Sequence, residues 1–251
     1  MNASYLTNLE ILANYEREIN KIDNTFEKPA TDDSLFWLNQ AVAKFVKLRY
    51  NGDFVHKTSY EQNDKRRMDL MNLFVECKEV MKSEDNNDSQ LIRLPSDPES
   101  DIKEYGYTID EYIYPKDFMY ALNEDVIITD SEGGNIKPVS IFECTADSFM
   151  YRIMNSLTDF HYKNHYARPI RVRTVSGCKL LTDGKYKISN YTLGYLRYPE
   201  KIVLGEHAQD EYKEFPEHIM HEIIKIAAQM YIENQKDERY RTLTNEVLTQ
   251  E

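Results

Sequence analysis

The chain has 251 residues, enough to bury a sizeable core in one large or two small domains. Its net charge of −12 excludes a general nucleic-acid-binding face, which needs a basic footprint. Three widely spaced cysteines (Cys77, Cys144, Cys178) with no CxxC pair exclude a disulfide framework and predict reduced, buried thiols.

Residues 4–22 place Tyr5, Leu9, Leu12, Tyr15, Ile19 and Ile22 at spacings of three and four, the stripe of an amphipathic helix with Ser4 as its N-cap. This polar start lacks a signal-peptide pattern, and no apolar run approaches the length of a membrane span, so the expected product is soluble and made in a cytoplasm. FEKPATDD breaks the helix. The next helix is expected over 32–51. Thr31 or Asp32 caps it, while Lys44, Lys47 and Arg49 near its end complement the macrodipole and Gly52 stops it. Leu35, Leu38, Val42, Phe45 and Val46 form its buried face, and Phe36 and Trp37 off that stripe predict cover on more than one side. A third helix is expected over 59–82, with Met68, Met71, Phe74, Val75 and Cys77 on its face.

Residues 83–104 are acidic, poor in apolar residues and Pro-containing, the pattern of a mobile linker with a short strand at Leu91–Leu94. From 105 to 204 the apolar period becomes two. The turn Ser131–Gly134 between alternating runs predicts a hairpin, and so does Asp183–Gly184. Between them, 146–160 reads as a helix with Phe149, Ile153, Leu157 and Phe160 on one side, and Pro199 ends the last strand. Residues 205–214 read as a second mobile acidic linker. Pro216 suits the first position of a helix over 215–232 whose face is Ile219, Ile223, Ala227, Met230 and Tyr231. A short final helix is expected over 237–248 with Tyr240, Leu243 and Val247 on one side, and no internal repeat is evident.

The fold class expected from this order is α+β. A helical bundle from both chain ends, 1–83 and 211–251, would carry an inserted antiparallel module over 84–210, sandwich- or barrel-like.

Chemistry-bearing patterns are sparse. His161 and His165 have the i, i+4 spacing of two zinc ligands, but Tyr162 stands where a metalloprotease places its glutamate. A metal-dependent hydrolase using these two histidines is therefore the weaker alternative, against exposed or structural histidines. His218 and His221 read as helix surface. The carboxylates of 97–104 and 206–214 read as solvating runs, and Gly133–Gly134 lacks the lysine and helix of a phosphate cradle. Arg168, Arg171 and Arg173 form the one basic run. By strand alternation Arg171 and Arg173 share a face, read as the solvent side of a strand in preference to a contact with an acidic partner or DNA. No catalytic, cofactor or metal residue is assigned, and the chain is not expected to be an enzyme.

Four stretches, in this order, resemble the head-to-tail adaptor or ring proteins of crAss-like short-tailed phages. They are SLFWLNQAVAKFVKLRYNG at 34–52 with YEQNDKRRMDLMNLF at 60–74; YPKDFMYAL at 114–122; RPIRV at 168–172 with YTLGYLRYPEKIVL at 191–204; and FPEHIMHEIIKIAAQMY at 215–231. The segment 83–104 has no counterpart in that pattern. The resemblance implies a virion protein without chemistry. It would self-associate in a ring, commonly of twelve copies, bind beneath the portal protein, and extend a channel that DNA meets only transiently. The helical part would dock on the portal, and the β part would meet the next tail component or fibres. A different tail ring or a fibre-docking protein is the near alternative.

Overall fold

The computed structural model describes residues 4–22, 29–51, 64–81, 89–94, 107–130, 132–134, 136–145, 147–163 and 166–234. Most of the 83–104 segment and the expected helix at 237–248 lie outside the described residues. The chain is mixed α+β and divides into two compact units, one made of 1–73 with 199–251, the other of 74–198.

The first unit holds α1 (Asn8–Ile22), α2 (Thr31–Asn51), α3 (Asp64–Asp69) and α5 (Glu217–Asn234). Helix α1 starts four residues later than Ser4 because Thr7 and Glu10 form a capping box. Thr7 Oγ1 accepts from the Glu10 amide (3.3 Å), and the Glu10 carboxylate accepts from the Thr7 amide (2.9 Å). Ile11, Leu12, Tyr15 and Ile19 are buried, while Leu9 is exposed. On α2 the buried positions are Ser34, Leu38, Ala41, Val42, Phe45, Val46 and Arg49. Helix α5 packs against both α1 and α2, and it is apolar on most sides rather than along one stripe. Ile219, Met220, Ile223, Ile224, Ile226, Ala227, Ala228, Tyr231 and Ile232 are all buried, the pattern of a helix enclosed by its neighbours.

The segment before α5 is packed, contrary to the expected mobile linker. Residues 4–9 lie alongside it, with the Asn8 amide on Asp210 O (3.1 Å), Leu9 on Ala208 O (2.9 Å) and Tyr212 on Leu6 O (2.9 Å). Ser4 O accepts from Glu217 at the start of α5, and Tyr212 and Glu214 are buried. The charges of 205–214 conceal these backbone pairings, which no composition reveals.

The second unit is a nine-stranded, nearly closed, barrel-like sheet. Its strands are β1 (Phe74–Met81), β2 (Leu91–Arg93), β3 (Thr108–Ile113), β4 (Phe118–Asp130), β5 (Lys137–Ser140), β6 (Phe142–Glu143), β7 (Ile170–Arg173), β8 (Gly177–Thr182) and β9 (Tyr186–Arg197). Their order is β5-β4-β9-β1-β2-β3-β8-β7-β6. The two edge strands, β5 and β6, are separated in the chain only by Ile141, so the edges are brought together by covalent connection. The sheet is not purely antiparallel, because β1–β2 and β6–β7 run parallel.

Three expectations fail here for local reasons. Among the described residues of the expected helix over 59–82, the helical part is α3 and a 3-10 turn at Met71–Leu73. FVECKEVM then alternates exposed and half-buried positions as β1, and Met68, Met71 and Phe74 are exposed. The helix over 146–160 is only α4 (Phe149–Met154). Asn155 ends it in extended backbone, Leu157 is 85% exposed, and Ile153 and Phe160 still reach the cluster with Tyr107, Ile170 and Leu181. Asp183–Gly184 does turn the chain, with Gly184 at φ 74° and Asp183 Oδ1 accepting from Lys185 N (2.9 Å). It does not make a hairpin. Strand β8 is flanked by β3 and β7, and β9 by β4 and β1, so the turn carries the chain between two walls of the barrel. The 130–134 turn does join a hairpin, β4–β5, with Asp130 Oδ1 accepting from Glu132 and Gly134 amides. Leu91–Arg93 is a strand as expected.

Gly177 marks the tightest backbone approach. It pairs with Ile113, and a Cβ there would lie 1.9 Å from the Tyr112 carbonyl oxygen. Gly177→Ala is expected to lower stability by about 1–3 kcal/mol, read as a lower urea midpoint. An unchanged midpoint would mean that β3 and β8 separate freely here.

Candidate functional site

The barrel interior is built from alternate residues of its strands. Tyr112, Tyr114, Tyr186, Tyr191 and Tyr195 are buried there with Leu91, Val126, Ile128, Leu180, Ile188 and Leu193. A tyrosine fills apolar space but brings a hydroxyl that needs a partner. For Tyr191 and Tyr114 the partner is Glu124 of β4, whose Oε1 accepts from them at 2.7 Å and 3.2 Å, while Tyr195 donates to Asp117 (3.0 Å). Glu124 Oε2 meets Arg171 of β7, which also reaches Glu143 of β6 (2.7 Å).

Arg171 is 2% exposed, so the preferred assignment of its side chain to the solvent face is overturned, and so is an outward contact to a partner or DNA. Alternation holds between the two arginines only in part. Arg173 is exposed and joins the same Glu143 (3.2 Å). Arg168 leaves the pattern altogether: its guanidinium donates to Ser140 O (3.3 Å) and Ile141 O (3.2 Å), on the connection between the two sheet edges. All three arginines of the basic run therefore serve the seam of the barrel. The missed signal is Glu124, an acid in the middle of β4 with Leu122 and Val126 on either side of it in the alternation.

Burial pushes the Tyr114 and Tyr191 hydroxyls well above their ordinary values and raises the Cys178 thiol as well. These tyrosines stay protonated donors, and Cys178 stays a neutral thiol 3.9 Å from the Tyr191 hydroxyl. Cys77 is likewise pushed up to about 11 by burial. The cluster holds protons in place and presents no activated nucleophile.

A second arginine, Arg93 of β2, lies between Asp110 (2.7 Å) and Glu79 (3.4 Å) and donates to Ile188 O (3.2 Å). Desolvation raises Glu79 despite that neighbour. In the helical unit Arg49 lies between Asp69 (3.0 Å) and Glu222 (2.5 Å), over the ring of Phe45. Its buried guanidinium, rather than a macrodipole contact alone, is the reason for that residue.

The histidines do not assemble a centre. His161 is half-buried, edge-on to Phe160 at 5.3 Å, and His165 lies outside the described residues. His218 and His221 are exposed on α5. Among the described residues no group of three His, Cys, Asp or Glu side chains is placed to hold a metal ion. A cleft of about 650 Å³ in the helical unit is lined by Asn8, Glu200, Lys201, His207, Asp210 and Lys213, with acids and lysines interleaved. No helix among the described residues is long and apolar enough to cross a membrane.

Truncating one partner of a buried ion pair strands the other. Arg171→Met and Glu124→Leu are each expected to destabilise the chain by about 3–5 kcal/mol, with the double variant recovering part of the loss, read by a urea double-mutant cycle. Additive losses would show the two side chains to be independent. Glu79 titrates with the opposite sign to an ordinary paired carboxylate. Its folded pKa is raised, so its contribution is present at low pH and lost as pH rises through the folded value. Glu79→Gln is therefore expected to keep or raise the urea midpoint at pH 7, with any gain fading as pH falls through the raised folded value and gone by about pH 4; a large loss at pH 7 would contradict this. No protein-family model matches the chain, and no curated protein matches it.

Proposed function

We propose that this chain is a structural subunit of a phage tail, an adaptor or ring protein that joins the portal to the tail and lines part of the DNA channel. In this reading a helical bundle from the two chain ends docks on the portal, and the β unit meets the next tail component. The observation that carries it is the set of large apolar side chains that each unit exposes. Met68 and Met71 are 67% and 61% exposed around α3, Phe36 is 54% exposed near the start of α2, and Tyr151, Met154 and Leu157 are 72%, 63% and 85% exposed around α4. Large apolar side chains left in water suit contact surfaces. A ring subunit needs two different faces, since head-to-tail association repeats one unlike contact around the circle.

Two further features support the reading. The conspicuous polar clusters of the described residues are spent on bracing, each arginine against two carboxylates. The net charge of −12 suits a passage that must not grip DNA, because repulsion acts within about 8–10 Å at physiological salt. The four stretches that resemble crAss-like adaptors span most of the chain in family order.

The test is native mass spectrometry and electron microscopy of the purified chain with a portal protein encoded beside it. The expected result is a ring capping the portal. A stable monomer that ignores the portal would overturn the reading, and capture by a later tail protein alone would move the chain down the stack. Met68→Glu with Met71→Glu is expected to abolish ring formation without changing the circular dichroism of the monomer. Tyr151→Ser with Leu157→Ser, on the other face of the same head-to-tail contact, should weaken the ring as well.

A further inference from the structure

The cleft of the helical unit is bordered by backbone that has no partner. Residues 200–204 are fixed to α2 at one point. Asn39 donates from Nδ2 to Ile202 O (3.1 Å), and its Oδ1 accepts from Ile202 N (2.8 Å). A neighbouring strand pairs a residue in the same two-bond way. In an extended chain the flanking residues turn their N–H and C=O to the opposite edge, so those of Lys201 and Val203 point away from Asn39. Exposure alternates to match, with Ile202 buried and Lys201 and Val203 exposed.

The chain turns at Gly205 (φ 82°) and returns along the N-terminal residues. Glu211 lies opposite Thr7, flanked by the bonds from Asn8 N to Asp210 O and from Tyr212 N to Leu6 O. That register turns the N–H and C=O of Glu211 to the other edge. Lys201, Val203 and Glu211 all line the cleft of about 650 Å³, and Ile202 does not. Tyr212 spans the two stretches, its hydroxyl donating to Glu200 O (2.7 Å), which holds the backbones more than one strand spacing of about 4.8 Å apart. Among the described residues nothing pairs with the backbone N–H or C=O of Lys201, Val203 or Glu211.

We propose that this cleft takes an extended segment of another protein, added as a strand to the Lys201–Val203 edge. The lining favours a peptide over a small molecule. Pockets for small molecules are mostly apolar, whereas Val203 is the one aliphatic side chain among the described residues of this cleft. Its charges are mixed, with Glu200, Asp210 and Glu211 beside Lys201 and Lys213, so recognition rests on the main chain and not on a charged sequence. Val203 is 43% exposed and favours a β-branched residue opposite it. The cleft lies within the helical unit, so its occupancy does not depend on the ring proposed above.

The experiment is a titration of the full, nitrogen-15-labelled chain with the neutral peptide acetyl-Thr-Val-Thr-Gln-Thr-amide, followed by amide resonances. The expected result is a saturable shift of the Lys201 and Val203 amides. The same peptide methylated on the backbone nitrogens of its Val and Gln keeps every side chain but cannot donate to the edge, and it should bind at least about tenfold more weakly. Val203→Pro removes an N–H that bonds to nothing in the free chain, so the fold should hold while the peptide again binds at least about tenfold more weakly. Equal binding of the methylated peptide would overturn the proposal, as would the absence of any shift up to about 10 mM peptide. Shifts of the same amides on concentrating the chain without peptide would give the edge to a second copy and overturn it as well.

Discussion

An arginine held between two carboxylates from distant parts of the chain is the interaction on which both units depend. Arg49 joins α2 to α3 and α5, Arg93 joins β2 to β1 and β3, and Arg171 joins β7 to β4 and β6. A planar, always-charged guanidinium suits this place because it can meet two acids at once with little rearrangement. The desolvation of such a cluster offsets much of its attraction, so it adds little net stability over an apolar core of equal volume. What it supplies is selectivity. A strand shifted by one residue turns Arg171 outward and leaves Glu124 buried without its cation, so the wrong register is penalised far more than the right one is rewarded.

The abundance of tyrosine has the same logic. Nineteen tyrosines are many for 251 residues, and five of them fill the barrel. A phenylalanine core of this volume would leave Glu124 Oε1 without donors. Tyr114 and Tyr191 supply them, and the edge-to-face contact of Tyr112 with Tyr191 at 4.9 Å fixes the rings that carry the hydroxyls.

The three long helices are legible in the sequence because each depends on a local period and local caps. Strand positions over 118–130 and 186–197 are legible for the same reason. The rest is decided by partners far away in sequence. FVECKEVM joins to a helix-like run of polar residues, and only its pairing with β9 fixes it as a strand. Asp183–Gly184 carries every local mark of a hairpin, yet both neighbouring strands already have two partners each. Arg171 alternates with Arg173 as a surface strand would, and only the return of β4 with Glu124 draws it inward. The acidic look of 205–214 hides backbone bonds to residues 6–9 that no single segment announces. The exposed apolar side chains of α4 are equally silent, since Leu157 looks like core until the helix stops at Met154.

The pairing of β1 with β9 has a consequence for how the chain acquires its structure. Phe74 lies opposite Leu196, so the strand that opens the β unit, though it meets β2 early, finds its longer partner only at the unit's far end. Contacts of such sequence separation are bought with loop-closure entropy before they return any stability, and domains dominated by them fold in milliseconds to seconds rather than microseconds. During synthesis at about 5–20 residues per second, β1 waits several seconds for β9 to emerge. Throughout that wait one edge of β1 and the apolar side of the growing sheet stand open, the condition in which a nascent chain is most prone to aggregate.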